Sequence, residues 1–237
     1  MPIPFRLAGK KPLLSFVSFE SCPQEAEDAL LRALPSDAQA YLSRFTHALR
    51  RRQSLWGRAL ALAAARSLGA ECREDLPYGP VLRLPDGREL AISVTHTGSC
   101  AGIGLPSAAK APLAVDLEGL PADTARFLAA ARRRLPAGAL PSLERAAAES
   151  GSPAPWVAAW GIRECAVKMN RGKTRFSVLP CSQSPWLRIA DAEQELSPAV
   201  FCEPLADGVL TCAGTEGRPV RQDFSAGSLL EALGISF

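Results

Sequence analysis

Two acidic clusters constrain the fold of this chain more than any other feature of its sequence. The first, residues 114–118, alternates apolar and polar side chains, which is typical of a β-strand with one face on a core. This alternation places Asp116 and Glu118 on one face of the strand, and it predicts that Val115 and Leu117 point into a core.

The second cluster, residues 160–168, has the periodicity of a helix. Trp160, Glu164 and Lys168 are spaced i, i+4 and i+8, so that they form one stripe. Three carboxylates on two rigid elements, with a lysine one turn beyond the third, could hold a hard divalent cation against a phosphorylated ligand. Magnesium suits this arrangement, because it combines a few carboxylates with phosphate oxygens of a substrate.

A third motif lies between residues 90 and 100. It begins as a strand and ends in a turn rich in hydroxyl groups and glycine. The turn follows His96, one of only two histidines in the chain.

The rest of the chain alternates helical and strand-like stretches, a pattern that indicates an α+β fold. Helices are predicted over 23–34, 36–68, 121–135 and 138–150, and strands over 13–19, 81–84, 90–94, 101–105, 176–179, 186–189, 199–202 and 209–212. The Pro- and Ala-rich residues 106–112 are the plausible seam, which divides the chain into an N-terminal half, 1–109, and a C-terminal half, 110–237.

In order and spacing, the three motifs resemble those of the 4′-phosphopantetheinyl transferases, in the larger form that has two similar halves in one chain. That family carries an Asn-x-Ser-His-Ser-Gly-like segment, a Gly-x-Asp-x-Glu strand and a Trp-x-x-Lys-Glu-x-x-x-Lys helix. Residues 93–98, 114–118 and 160–168 correspond to them here. The resemblance is strongest between residues 90 and 170.

The resemblance implies two similar α+β halves, each with a small, mostly antiparallel sheet and helices, and an active site at their interface. It implies Mg²⁺-dependent transfer of the 4′-phosphopantetheine group of coenzyme A to a serine hydroxyl of an acyl or peptidyl carrier protein. The co-product is adenosine 3′,5′-bisphosphate, and the carrier is an acidic protein. Because both halves lie in one chain, a monomer would be sufficient.

Position in the motifs also implies a role for each site residue. The metal ligands are Asp116, Glu118 and Glu164. Glu164 is also the candidate base for the serine, and Lys168 places a cation against coenzyme A beside the phosphate bridge that is cleaved. The remaining coenzyme A contacts are assigned to Thr95, His96, Ser54 and Arg52.

Four departures from the family pattern bear on substrate preference and rate. Ala114 replaces a glycine, and Arg163 replaces a lysine. Residues 78–80 lack the lysine of the family's Tyr-Gly-Lys-Pro, and residues 169–173 contain one glycine where the family has a Gly-x-Gly-Leu turn.

Composition is ordinary for a globular protein, with 47% hydrophobic and 22% charged residues. No apolar run reaches the roughly 20 residues that span a bilayer, and the first residues do not resemble a signal peptide. We therefore expect a cytoplasmic protein with no membrane partner. The seven cysteines form no Cys-x-x-Cys pair, and we expect them to be reduced and mostly buried.

Each motif also has an ordinary structural explanation. Asp116 and Glu118 could be outward residues of an amphipathic strand, and Glu164 with Lys168 could be a surface i, i+4 pair. His96 alone could be a hydrogen-bonded structural histidine.

Two other functions are alternatives to transfer. A non-catalytic relative could bind coenzyme A or a carrier protein without transferring the group, as the departures at residues 78–80 and 169–173 suggest. A nucleic-acid-binding protein could use the arginine runs near residues 50, 132 and 171. However, a content of 6% aromatic residues leaves few side chains on which bases could stack. We therefore expect no nucleic acid partner.

Overall fold

The computed structural model describes residue 5 and residues 11–75, 79–109, 111–170, 175–181, 184–191, 197–214 and 218–236. The described chain is mixed α+β, which confirms the predicted class. It divides into two compact units. Unit 1 consists of Met1–Ala111 with Arg218–Phe237, and unit 2 consists of Pro112–Gly217.

Unit 1 contains two sheets and four described helices. Its strands are β1 (Leu13–Ser18), β2 (Glu71–Asp75), β3 (Gly79–Arg83), β4 (Glu89–Ala91), β5 (Ser93–Thr97), β6 (Cys100–Leu105) and β12 (Val220–Ser225), and its helices are α1 (Gln24–Ala33), α2 (Ser36–Leu42), α3 (Ala48–Leu68) and α7 (Ala226–Ala232). The larger sheet has the order β12-β1-β6-β5, and the smaller one is β2-β3-β4.

Helix α3 forms the core of unit 1, with residues 53–65 buried. It begins after His47, whose ring Nδ1 accepts a hydrogen bond from the backbone N–H of Arg50, and it ends at Gly69 in the left-handed conformation. The sequence predicts one helical stretch over 36–68. That prediction is wrong at residues 43–47, because α2 ends at Leu42 and the extended His47 starts a new helix.

The predicted strand 90–94 belongs to two sheets. Its first part, β4, pairs with β3, and its second part, β5, pairs with β6. The chain changes sheets at Ile92, whose backbone N–H donates to the carbonyl oxygen of Pro80 at 3.0 Å. The dipeptide Asp86-Gly87 between these strands predicts a tight hairpin turn, and the turn is confirmed at Gly87, which has a φ of 82°.

Unit 2 contains the acidic motifs. Its strands are β7 (Leu113–Gly119), β8 (Phe176–Pro180), β9 (Leu187–Asp191), β10 (Ala199–Leu205) and β11 (Gly208–Gly214), and its helices are α4 (Thr124–Arg134), α5 (Leu140–Ser150) and α6 (Ala154–Met169). One antiparallel sheet has the order β10-β11-β7, and β8 pairs with β9. Helix α6 begins with Pro155 in its first turn, which a helix tolerates, and its apolar side packs in the core of this unit.

The division into units differs from the predicted halves at the C-terminal end. The break between Ala111 and Pro112 lies in the predicted seam, but Arg218–Phe237 belongs to unit 1. Strand β12 pairs in parallel with β1, and Arg66 of α3 donates to the carbonyl oxygen of Leu233 at 2.7 Å. Unit 2 therefore ends before residue 218, because strand β12 pairs with β1 in the larger sheet of unit 1.

All seven cysteines are free thiols. Cys165 and Cys212 are buried and the other five are partly exposed, so the expectation that most of them are buried is wrong. Burial raises the pKa of Cys202 to about 11 and the pKa of Cys212 to about 12. These thiols are therefore protonated at neutral pH and act as small apolar side chains. Among the described residues, no helix is both long and apolar enough to cross a membrane.

Candidate functional site

Strand β7 carries the first acidic motif, and both of its faces are covered. Val115 and Leu117 are buried, as the alternation predicts, but Ala114 and Asp116 on the opposite face are buried as well. Helix α6 covers that second face, and Ala114 packs in the same apolar cluster as the α6 side chains. Asp116 is therefore not an outward residue of an amphipathic strand, and the methyl group of Ala114 fills space in the core.

The Asp116 carboxyl group has one oxygen that is hydrogen-bonded and one that is not. Lys168 Nζ donates to Asp116 Oδ1 and to the carbonyl oxygen of Val115, each at 2.7 Å. Asp116 Oδ2 is buried and has no hydrogen-bond partner among the described residues. A buried acceptor without a donor or cation costs free energy, so this oxygen is suited to an added ligand.

Burial also changes the ionisation of Asp116. Desolvation raises the pKa of its carboxyl group, the Lys168 ammonium group acts in the opposite direction, and the negative charge of Glu164 raises this pKa again. The charge of Glu164 on α6 therefore acts on the acid of β7, while the direct partner of Asp116 is Lys168.

Glu164 and Lys168 do not form the surface i, i+4 pair that was the ordinary explanation of this motif. Glu164 is paired with the guanidinium group of Arg163, its neighbour in the chain. Lys168 is paired with Asp116, and its side chain is 15% exposed. The arginine that replaces the family's lysine therefore contacts the candidate base directly, while the candidate lysine faces strand β7.

Glu118 is the third predicted metal ligand. It follows Asp116 by two residues on the same face of β7 and is half-buried. In the part of the chain that the structure describes, no three His, Cys, Asp or Glu side chains are grouped so that they could hold a metal ion. The structure therefore brings Asp116 together with Lys168, one helical turn after Glu164 on α6, and among the described residues it does not assemble the three acids into one cluster.

Arginines from two helices stack on the tryptophans of α6. The guanidinium carbons of Arg134 and Arg163 lie 5.7 and 5.4 Å from the centroid of Trp160, and that of Arg132 lies 5.4 Å from the centroid of Trp156. Trp156 is buried, but Trp160 is only half-buried. The run 132–134 is thus partly fixed by cation–π contacts.

In unit 1, His96 lies beside an arginine that sequence reasoning did not assign to the site. Arg50 Nη1 is 3.3 Å from His96 Nε2, and because a guanidinium group only donates, Nε2 is the acceptor. One turn later in α3, Gln53 donates to the carbonyl oxygen of Gly98 at 2.9 Å, which fixes the helix to the turn after β5. The only sequence signal for Arg50 was its place in a run of three arginines.

Thr95 and His96 do not lie together. Neighbouring residues of a strand point to opposite faces, and β5 follows this rule. Thr95 is 3% exposed, and a side chain at Gly102, its cross-strand partner, would contact its methyl group. His96 is half-buried on the other face, beside Arg50.

Arg52 and Ser54 have structural contacts within unit 1. Arg52 Nε donates to Glu27, and its Nη2 donates to two backbone carbonyl oxygens that precede α1, at 2.8 and 3.1 Å. Ser54 is 6% exposed, and its hydroxyl oxygen accepts from Arg58 Nη1 at 2.6 Å. The Arg52 contacts fix α3 to α1 and the segment before it, whereas the Ser54 contact lies within α3. The assignment of both residues to coenzyme A stays a prediction.

Two of the departures from the family pattern fall partly on residues outside the described part of the chain, namely Tyr78 and residues 171–173. Arg175, the last residue of the third basic run, is described and exposed. No protein-family model matches this chain, and no curated protein matches it.

Proposed function

We propose that this chain transfers the 4′-phosphopantetheine group of coenzyme A to a serine of an acyl or peptidyl carrier protein. The observation that carries this proposal is the state of Asp116, a buried acid with Lys168 on one oxygen and no donor on the other. The negative charge of Glu164 on α6 also acts on this acid and raises its pKa. These are residues that the β7 and α6 motifs share with the 4′-phosphopantetheinyl transferases.

The donor atoms of this cluster suit a magnesium ion. Asp116 Oδ2 has no donor among the described residues, and carboxylate oxygens are the hard ligands that Mg²⁺ prefers. Asp116 and Glu164 would hold the ion, and Glu118, which the described structure does not group with them, stays the predicted third ligand. When bound, the ion would neutralise negative charge on the pyrophosphate of coenzyme A.

The side chains of the cluster account for the remaining steps. The serine hydroxyl oxygen attacks the phosphorus that bears the pantetheine arm, and the bond from this phosphorus to the bridging oxygen breaks. Glu164 accepts the proton of the serine, and the ammonium group of Lys168 stabilises the charge that develops on the leaving adenosine 3′,5′-bisphosphate. Lys168 is suited to this role because two groups of β7, the carbonyl oxygen of Val115 and the carboxylate of Asp116, hold its ammonium group in place.

Unit 1 supplies the candidate groups for phosphate binding. We assign a phosphate of coenzyme A to His96 and Arg50, which lie side by side at the start of α3 and the end of β5. Arg50 offers the charged donors that residues 78–80 lack in the family comparison. The proposed fold is that of the family, with two similar α+β halves, and the proposed enzyme acts as a cytoplasmic monomer.

The decisive experiment is intact-protein mass spectrometry of an apo acyl carrier protein after incubation with this protein, coenzyme A and Mg²⁺. We expect a mass gain of one phosphopantetheinyl group, and we expect a metal chelator to abolish it. Apo peptidyl carriers are tested in parallel. No gain on any carrier would overturn the proposed reaction.

One observation favours a second function, in which the chain binds coenzyme A without transfer. Glu164 is paired with Arg163, and the described acids are not assembled as a metal site. In that case calorimetry would detect coenzyme A binding, while the carrier mass would not change in the presence of Mg²⁺.

A further inference from the structure

Gly161 lies where helix α6 passes close to the paired strands β7 and β11. A Cβ atom at this position would overlap the hydroxyl oxygen of Thr211 on β11 and would lie 3.0 Å from Thr211 Cβ. The same atom would lie 3.6 Å from the unpaired Oδ2 of Asp116. Thr211 and Asp116 face each other in the β7–β11 ladder, so the missing side chain faces the pair directly.

The close approach at Gly161 determines where the next two turns of α6 lie. Glu164 and Lys168 follow it by three and seven residues, and side chains at these spacings share a helix face. In this arrangement Lys168 Nζ donates to Asp116 Oδ1 at 2.7 Å. A helix that moved away from β11 would carry Lys168 and Glu164 away from Asp116 together.

We propose that Gly161 is a positioning residue, whose lack of a side chain sets the distance between the strand acid Asp116 and the helix residues Glu164 and Lys168. Its catalytic meaning rests on the proposed function. A glycine inside a helix lowers helix propensity relative to alanine. Gly161 lies inside α6 and has no positive φ, so its backbone conformation does not require glycine. The contact with Thr211 is the feature that excludes a larger residue here.

The test measures the accessibility of the Lys168 amine in the protein without metal, coenzyme A or carrier. Brief acylation followed by peptide mass spectrometry gives the rate at Lys168 relative to the exposed Lys11. In the parent protein the ion pair with Asp116 should make Lys168 slow to react. In Gly161→Ala we expect a several-fold faster relative rate with an unchanged far-ultraviolet circular dichroism spectrum.

A second substitution that relieves the overlap distinguishes a positioning role of Gly161 from a general loss of packing. Thr211→Ala removes the overlapping hydroxyl and leaves a tight contact of 3.0 Å between the two Cβ atoms, so the double variant Gly161→Ala/Thr211→Ala should return Lys168 most of the way to the slow parent rate. Gly227→Ala is the matched control, because Gly227 is also a helical glycine but has open space where a Cβ atom would lie. It should leave the Lys168 rate unchanged.

Three outcomes would overturn the role of Gly161. These are a parent-like Lys168 rate in Gly161→Ala, a fast rate that the second substitution does not reverse, and a double variant that does not fold. If the single variant alone fails to fold, a folded double variant with a slow Lys168 supports the proposal. Loss of transfer in Gly161→Ala and its recovery in the double variant would extend the role to catalysis, whereas a parent protein without transfer activity would refute only the proposed function.

Discussion

Asp116 combines features that a purely structural acid seldom has. Its side chain is 8% exposed, one carboxylate oxygen is bonded to Lys168, and the other has no donor in the described chain. A buried charge normally has all of its hydrogen bonds satisfied, since an unmade bond costs about 1–3 kcal/mol. A ligand that supplies positive charge at Oδ2 would remove this cost, which is why we assign the cation to this residue.

Glu164 allows a direct test of the proposed chemistry. Glu164→Gln keeps the size of the side chain and removes the base, so the transfer rate should fall by about 10²–10⁴-fold. The side chain is 28% exposed, and the fold should therefore persist. Initial rates of carrier modification and a thermal unfolding curve measure the two effects.

The matched control is Glu149→Gln, which changes an exposed acid on α5. It should transfer at the parent rate. Normal transfer by Glu164→Gln would contradict the role of Glu164 as base.

Replacing Arg50 tests the proposed phosphate site of unit 1. Removing a charge-assisted donor should weaken binding of adenosine 3′,5′-bisphosphate by about tenfold or more in Arg50→Ala, as measured by calorimetry. Arg51→Ala removes a neighbouring exposed arginine of the same run and should have a smaller effect. Equal losses in the two variants would indicate a diffuse electrostatic effect instead of a contact at Arg50.

At the scale of elements, each unit depends on one long helix packed on strands. In unit 1, α3 is fixed to β2 by an ion pair between Arg58 and Glu74, whose side chains are 5% and 2% exposed. Arg58 Nη2 donates to Glu74 Oε2 at 2.8 Å, and its guanidinium group lies 3.9 Å from the centroid of the Tyr41 ring. The pair therefore connects α2, α3 and β2.

Breaking this pair should be costly. Glu74→Ala leaves the Arg58 charge buried without its partner, and the free energy of unfolding should fall by about 3–5 kcal/mol. Glu89→Ala breaks an exposed pair with Arg73 in the same sheet and should cost no more than about 1 kcal/mol. Urea unfolding of both variants measures the difference, and equal costs would show that burial of the pair has little influence.

At the scale of the whole chain, the C-terminal segment contributes β12, which pairs with β1 at one edge of the larger sheet of unit 1. Strand β12 pairs with β1 along its full length, and α7 then places Leu229, Leu230 and Leu233 in the core of unit 1. The stability of unit 1 therefore depends on residues more than 200 positions apart in the sequence.

Replacing Leu230 tests how far the stability of unit 1 depends on the C-terminal segment. It is 1% exposed, so Leu230→Ala should lower the free energy of unfolding by about 2–5 kcal/mol. Val220→Ala in β12 changes a side chain that is 37% exposed, and it should cost less than about 1 kcal/mol. A loss at Leu230 no larger than that at Val220 would indicate that α7 contributes little to the core.

The local elements could be predicted because their signals lie within a few residues. The alternation at 113–118, the stripe at 160–168 and the Asp-Gly turn before Arg88 each indicated the observed element. Strand β12 gave no such signal, since Val220–Ser225 is mostly polar and is stabilised by its pairing with β1. The break between α2 and α3 was missed because residues 43–47 contain neither proline nor glycine.

The sequence by itself determined which residues share a face: Asp116 with Glu118 on a strand, and Glu164 with Lys168 on a helix. Only the tertiary structure decided that α6 covers the acidic face, that Lys168 pairs with Asp116, and that Arg50 approaches His96. The reason is physical. Periodicity follows from backbone geometry within one element, whereas burial and pairing depend on which elements meet.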